Sequence, residues 1–267
     1  MTSWRRPATI CRILAIPFTL SFSPWDLALL AAVTVMGTLL AYIPDPRWKA
    51  FVLGLPIPFT LANLSLAQPV GPSHALGMAV LLLFMNLVRW LHHGARVPIV
   101  AAIVVSEGCY LGIAALLNAV VPRTPLAFWL CLGMVIAGGG AYLALVPARP
   151  EPSARSPLPM AVKAAAIAGV IAIIILLKQV LGGFMTMFPM VGTIAVYEGR
   201  RSLWTIGRQI PVLMITAGPM MAAMWLAQTL LGAAVPLSLV AGWVVFLSVF
   251  VPVSRAQMRK AGPRLDP

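Results

Sequence analysis

Between residues 26 and 253 the chain is a succession of apolar runs, each bounded by proline, glycine or charge. They fall at 26–43, 51–68, 75–91, 97–121, 125–147, 161–181, 182–197, 209–231 and 235–253. A helix needs about 20 mostly apolar residues to cross a bilayer core about 30 Å thick. Backbone amides have no water to bond there, so runs of this kind fold as helices. The expected class is an all-α polytopic membrane protein. Composition excludes the soluble alternative. The chain is 61% hydrophobic and 9% charged, whereas soluble domains carry about 25% charged residues.

The net charge is +13, from 19 basic and 6 acidic residues. Most basic residues lie between the apolar runs, as expected of loops that face anionic headgroups on the cytoplasmic side. No basic helix or aromatic RNA-binding motif accompanies them, so the expected partner is the lipid bilayer and not nucleic acid. Cys11, Cys109 and Cys131 all lie in apolar segments without a CxxC pair. Neither a disulfide framework nor a metal site is expected from them, and no cofactor is expected.

The run 10–22 follows Arg5 and Arg6 but is interrupted by Arg12 and Pro17. No small-x-small site follows Phe22, so it reads as a short span or an interfacial helix rather than a cleaved signal. Lys and Arg counts in the short loops place 44–50, 92–96, 148–160, 198–208 and the tail after Val253 in the cytoplasm, leaving Arg123 and Lys178 as exceptions. Counting 10–22 as a crossing gives about ten transmembrane helices, both termini cytoplasmic, in a cell inner membrane.

The segment "PARPEPSARSPLP" is the one long polar break. It divides the chain into an N-terminal membrane half (1–147), a cytoplasmic linker (148–160), a C-terminal membrane half (161–253) and a basic tail (254–267). The halves share short patterns. "FVLGLPIPFTLANLSLAQ" and "VLGGFMTMFPMVGTIAVYE" each set glycine and then a Pro–Phe pair early in a span. "RVPIVAAIVVSEGCYLGIAALLNAVVP" and "RQIPVLMITAGPMMAAMWLAQTLLGAAVP" each open on an arginine with proline two or three residues on, and both close on Leu-Leu-x-Ala-x-Val-Pro. An internal repeat, inverted or parallel, is the reading, against chance likeness of two apolar segments.

Lys163, Gly183, Phe188 and Pro189, the turn Glu198-Gly199-Arg200-Arg201 and Pro211 give 161–253 a pattern that resembles the small bacterial GlpM-like inner-membrane proteins. The segment 27–62, with "RWKAFVLGLPIPF", resembles the start of the same pattern. The resemblance implies a membrane protein of four-span units and supplies no substrate.

Six positions stand out as ligand-binding or coupling candidates. Glu107 lies in the middle of an apolar run, where a carboxyl costs about 2.5–3.5 kcal/mol and normally faces the protein interior. It is read as a proton- or ion-coupling group, or as a structural hydrogen bond across helices. Gly108 and Gly112 beside it permit close helix packing. Pro58 with Phe59, and Phe188 with Pro189, mark breaks that free backbone carbonyls; such breaks line transporter sites and also occur as ordinary kinks. Lys178 would snorkel, pair with Glu107 or bind an anion. Arg200, Arg201 and Arg208 form a basic cluster assigned to the cytoplasmic side. The methionine runs 185–190 and 220–224 are read as apolar filler rather than a copper site, and His92 and His93 as solvated surface.

The expected function is a transporter or permease, proton- or ion-coupled, for a small anionic or lipid-like substrate, and not an enzyme. A non-catalytic subunit that anchors or assembles an envelope system is the alternative, with a homo-oligomer or membrane-complex partner. A lipid-modifying membrane enzyme is the second alternative.

Overall fold

The computed structural model describes residues 23–42, 51–52, 54–147, 151 and 159–260. The described residues form helices and no strand. These are α1 (Pro24–Tyr42), α2 (Ile57–Leu66), α3 (Pro72–Arg89, continued by a π turn Trp90–Gly94), α4 (Ile99–Val120) and α5 (Pro125–Leu145). After the linker come α6 (Met160–Leu176), the single turn α7 (Lys178–Leu181), a 3-10 segment (Gly182–Met187), α8 (Met190–Glu198), α9 (Leu203–Gly207), α10 (Gln209–Leu230) and α11 (Val235–Lys260). The segment 10–22, most of the linker and residues 261–267 lie outside the described residues.

Local sequence sets the helix starts. Pro72 and Pro125 each occupy the first helical position, where the missing N–H costs nothing. Thr124 caps α5 by accepting from Ala127 N at 3.2 Å. His74 Nδ1 accepts from Gly71 N at 3.1 Å and closes the start of α3.

Five described helices are long and apolar enough to cross a membrane: Pro72–Gly94, Ile99–Val120, Pro125–Leu145, Leu203–Leu230 and Val235–Arg255. The pair Ala161–Leu176 and Lys178–Met187, bent by 65°, makes up to six. The ten transmembrane helices expected from the sequence are thus not all present at full length among the described residues. α2 has 10 residues and α8 has 9, about 15 Å of helix each at 1.5 Å per residue and half a bilayer core. The runs at 51–68 and 182–197 were long enough to suggest crossings, but proline ends the helix inside each. The chain is a helical membrane protein with broken segments.

Polar contacts fix which helix ends lie together. Asp26, in the first turn of α1, bonds Lys178 just past the end of α6 at 2.8 Å and Ser65 near the end of α2. Asn118, near the end of α4, donates to Val180 O at 3.0 Å, and Val70 N, before α3, donates to Gln228 near the end of α10 at 2.9 Å. At the opposite end, Lys163 in the first turn of α6 pairs with Glu198 at the end of α8 at 2.8 Å. Arg89, ending α3, stacks 4.3 Å from the ring centroid of Trp204 at the start of α9, and Trp204 Nε1 donates to Pro147 O at 2.8 Å. Thus α1 runs against α6, α3 against α10, and each of α2 and α8 folds back along the helix before it.

The buried apolar side chains form two clusters. One joins α1, α3, α4, α6 and α8 through Leu29, Val33, Phe84, Tyr110, Ile167 and Val191. The other joins α2, α3, α5, α10 and α11 through Phe59, Met78, Phe128, Met220 and Phe246. Each cluster takes helices from both sides of the linker, so residues 1–147 and 161–253 do not pack as two separate units. The outer faces of α4, α5 and α11 carry exposed Val104, Leu126 and Val240, as lipid-facing surfaces do.

Candidate functional site: a cavity between two broken helices

The start of α2 is set by Pro56 at φ −80°, ψ 39°, and that of α8 by Pro189 at φ −73°, ψ 49°. Four residues on, a threonine places both its backbone N–H and its hydroxyl on the proline carbonyl. Thr60 Oγ1 donates to Pro56 O at 2.8 Å, and Thr193 Oγ1 lies 2.8 Å from Pro189 O. Nine residues after the proline stands the polar side chain that closes the hairpin, Ser65 in one and Glu198 in the other. α2 therefore runs from mid-bundle to the Asp26 end, and α8 from mid-bundle to the Glu198 end. Their N-termini meet in the middle.

A cavity of about 100 Å³ lies at that meeting point, along the seam between the two apolar clusters. Pro56, Pro58 and Phe59 line it from one helix start, and Phe188, Pro189 and Met190 from the other. Met36, Leu81, Met85, Met187, Thr186, Gln209 and Leu213 complete most of the wall. Among the described residues, no charged side chain lines it. The four sequence-flagged Pro–Phe residues thus share one cavity.

One face of α4 holds the irregular segment 178–193 in place. Asn118 bonds Val180 O, Tyr110 OH donates to Phe184 O at 2.9 Å, and Glu107 Oε1 lies 2.5 Å from Thr193 Oγ1. Ala114, fully buried, lies between them on the same stripe. Positions 107, 110, 114 and 118 follow helical spacing, so one stripe answers backbone groups that the break leaves without helical partners. Two glycines make the approach close. Gly182 has φ +52°, and a Cβ there would stand 2.8 Å from Asn118 Oδ1. A Cβ on Gly183 would come within 2.4 Å of His74 Nδ1 at the start of α3.

Glu107 is half-buried and does not line the cavity; it stands behind α8 and reaches the break through Thr193. Lys178 is neither snorkelling nor near Glu107. It is 6% exposed and paired with Asp26, whose carboxylate also accepts from Ser23 N at 2.7 Å and from Ser65. Two short bonds and an ammonium partner hold this carboxylate at the bundle end. The three arginines do not gather round the cavity. Arg200 bonds Tyr197 O at 3.3 Å, Arg201 is exposed, and Arg208 bonds Val146 O at the end of α5. His92 Nδ1 lies 2.9 Å from Val97 O in the turn after α3. Met220, Met221 and Met224 fill the second cluster, where Met224 Cγ would lie 2.7 Å from a Cβ on Gly242. Met187 and Met190 face the cavity instead. A Cβ added at Gly108 or Gly112 would meet no described atom within 4 Å beyond its own helix.

Sequence reading missed Asp26, Thr193 and Gln209. A signal existed for Thr193. Pro56, Thr60 and Ser65 repeat at the spacing of Pro189, Thr193 and Glu198. Asp26 and Gln209 carry no such mark, because each resembles an ordinary polar residue at a helix start.

The fold and site define a helical membrane protein in which two opposed half-helices meet at a mid-bundle cavity. Comparison with protein-family models, with curated proteins and with solved structures finds no match.

Proposed function

We propose that the protein is an inner-membrane transporter in which Glu107 couples proton movement to the geometry of the Pro189 break. The observation that carries this reading is the relay Glu107–Thr193–Pro189. Thr193 has one hydroxyl proton and lies within bonding distance of two oxygens, Glu107 Oε1 and Pro189 O. Both bonds form together only when the Glu107 carboxyl brings a proton of its own. Loss of that proton draws the Thr193 hydroxyl to the carboxylate and leaves the Pro189 carbonyl with the Thr193 N–H, 2.8 Å away, as its remaining donor. Pro189 lines the cavity, so a protonation event outside the cavity alters its wall.

The opposed hairpins support the same reading. α1–α2 and α6–α8 share the Pro, Thr and closing-residue spacing and run in opposite directions, as inverted repeats do around a central transport site. We read these two hairpins as the internal repeat. The shared Leu-Leu-x-Ala-x-Val-Pro ending joins α4 and α10, which run in the same direction, and so belongs to a different relation. The resemblance to GlpM-like proteins is compatible with this assignment. Positive-inside counting places the Glu198 end, with Arg89, Arg96, Arg200, Arg201 and Arg208, in the cytoplasm, together with both termini if 10–22 crosses.

The test is proton flux in vesicles that hold the reconstituted full chain and a pH dye, with phosphate, benzoate, a neutral phenol and Ag(I) as candidate cargo. The expected result is cargo-dependent flux in the wild type and its loss in Glu107→Gln at unchanged expression and insertion. A Glu107→Gln protein with full flux removes the coupling role. A second reading, an assembly subunit, is favoured by the open outer face at Gly108 and Gly112, which leaves room for a close helix partner. It predicts a stable complex whose loss tracks loss of function in Gly112→Leu.

A further inference from the structure

We infer that the central cavity binds a small, neutral, mainly apolar molecule of about one ring, held by a single hydrogen bond to Gln209. This rests on the proposed transport site and names its substrate class. The lining excludes the other classes. An anion needs a cation or several directed donors, and no Lys, Arg or His among the described residues lines the cavity. The arginines at 200, 201 and 208 are bound elsewhere or exposed, and Lys178 is consumed by Asp26. A cationic amine would lack a carboxylate, because Glu107 lies behind α8. The remaining polar side chains are Thr186 and Gln209. The Thr186 hydroxyl already donates to Gly183 O at 2.7 Å. No described residue hydrogen-bonds the Gln209 amide, which is part-buried at the wall and offers both a donor and an acceptor.

Size and softness point the same way. A dry apolar cavity of roughly 150 Å³ accepts a benzene ring, and this one measures about 100 Å³. Met36, Met85, Met187 and Met190 form part of its wall. Methionine side chains re-pack at low cost and favour aromatic edges, so the cavity can widen to one ring. The same thioethers would suit Ag(I) or Cu(I), but a monovalent cation would arrive without a charged or imidazole ligand. The neutral ring with one hydroxyl fits all the features.

The probe is 4-fluorophenol, followed by fluorine NMR on the purified full chain, with empty detergent micelles giving the non-saturable baseline. The expected result is one saturable site in the wild type and in Glu107→Gln. Leu213→Trp, which fills the cavity from α10, should abolish it, and Met85→Trp should do so independently from α3. Gln209→Leu should weaken binding about tenfold, the worth of one hydrogen bond. Phosphate, benzoate and Ag(I) should not displace the probe. Absence of a saturable site in folded wild type, its survival in both filling variants, or displacement by phosphate or Ag(I) overturns the assignment. Unchanged affinity in Gln209→Leu overturns the hydrogen bond. Saturable binding combined with undiminished flux in Glu107→Gln overturns the coupling reading alone.

Discussion

The hairpins α1–α2 and α6–α8 solve one problem in two ways. Each starts a short helix at mid-depth with a proline, adds a threonine hydroxyl to that proline's carbonyl, and closes with a buried polar contact to the first turn of the long helix before it. They differ in what touches the threonine. Thr60 accepts from Trp243 Nε1 at 2.8 Å, a donor that never changes charge. Thr193 meets Glu107, a carboxyl that can. They differ also at the closing residue, since Ser65 is neutral and shares Asp26 with Lys178, whereas Glu198 pairs with Lys163. The backbone solution repeats while the chemistry does not. One break is a fixed support and the other carries a titratable contact.

The strongest way to break this comparison is to strip one ion pair at either end. Lys178→Met leaves Asp26 buried without its cation and is expected to cost about 3–5 kcal/mol, whereas the double variant Asp26→Leu/Lys178→Met should recover most of the loss. Lys163→Met takes one partner from Glu198 and is expected to cost less. Thermal unfolding in detergent, with expression level as a second readout, checks both. A neutral Lys178→Met would mean that the Asp26 end is not held as described.

Next comes the titratable difference. Glu107→Gln should remove proton-driven flux by at least tenfold with a stability change of about 1 kcal/mol. Its counterpart, Trp243→Phe, should cost a similar amount of stability and leave the pH dependence of flux as it was. Equal loss of flux in both variants would erase the distinction between the two breaks. Gly182→Ala should cost at least about 1–2 kcal/mol, because φ is positive and Asn118 blocks the added methyl. Thr60→Val and Thr193→Val should each cost about 1 kcal/mol, with serine restoring most of it. The smallest effect is expected at Arg201, where alanine should change stability by less than about 0.5 kcal/mol; its charge sets topology, read by reporter fusions.

Much of this was legible in the residues. The apolar runs fixed the membrane class, and the prolines at 56, 58 and 189 marked the breaks that the cavity uses. Glu107 stood out by its depth alone. The identity of its partner did not, since Thr193 lies 86 positions away and threonine in an apolar helix carries no mark of its own. At 51–68 and 182–197 the helices are shorter than the apolar runs, because hydropathy counts residues and takes no account of whether their backbone stays helical. Lys178 was misread for a related reason: a lone lysine near a helix end snorkels unless a carboxylate is delivered to it, and the sequence separation from Asp26 is 152.

The sequence by itself determined that this chain enters a bilayer as helices, because no other structure satisfies its backbone there. It also determined where those helices stop, because proline removes a donor and blocks the turn before it. Only the tertiary structure decided that the two stops face each other across one cavity, which charges are consumed in pairs, and that the one carboxyl at mid-depth reaches the cavity through a threonine. Those facts depend on which helix ends come together. Packing energy summed over distant residues sets that choice, and local spacing does not encode it.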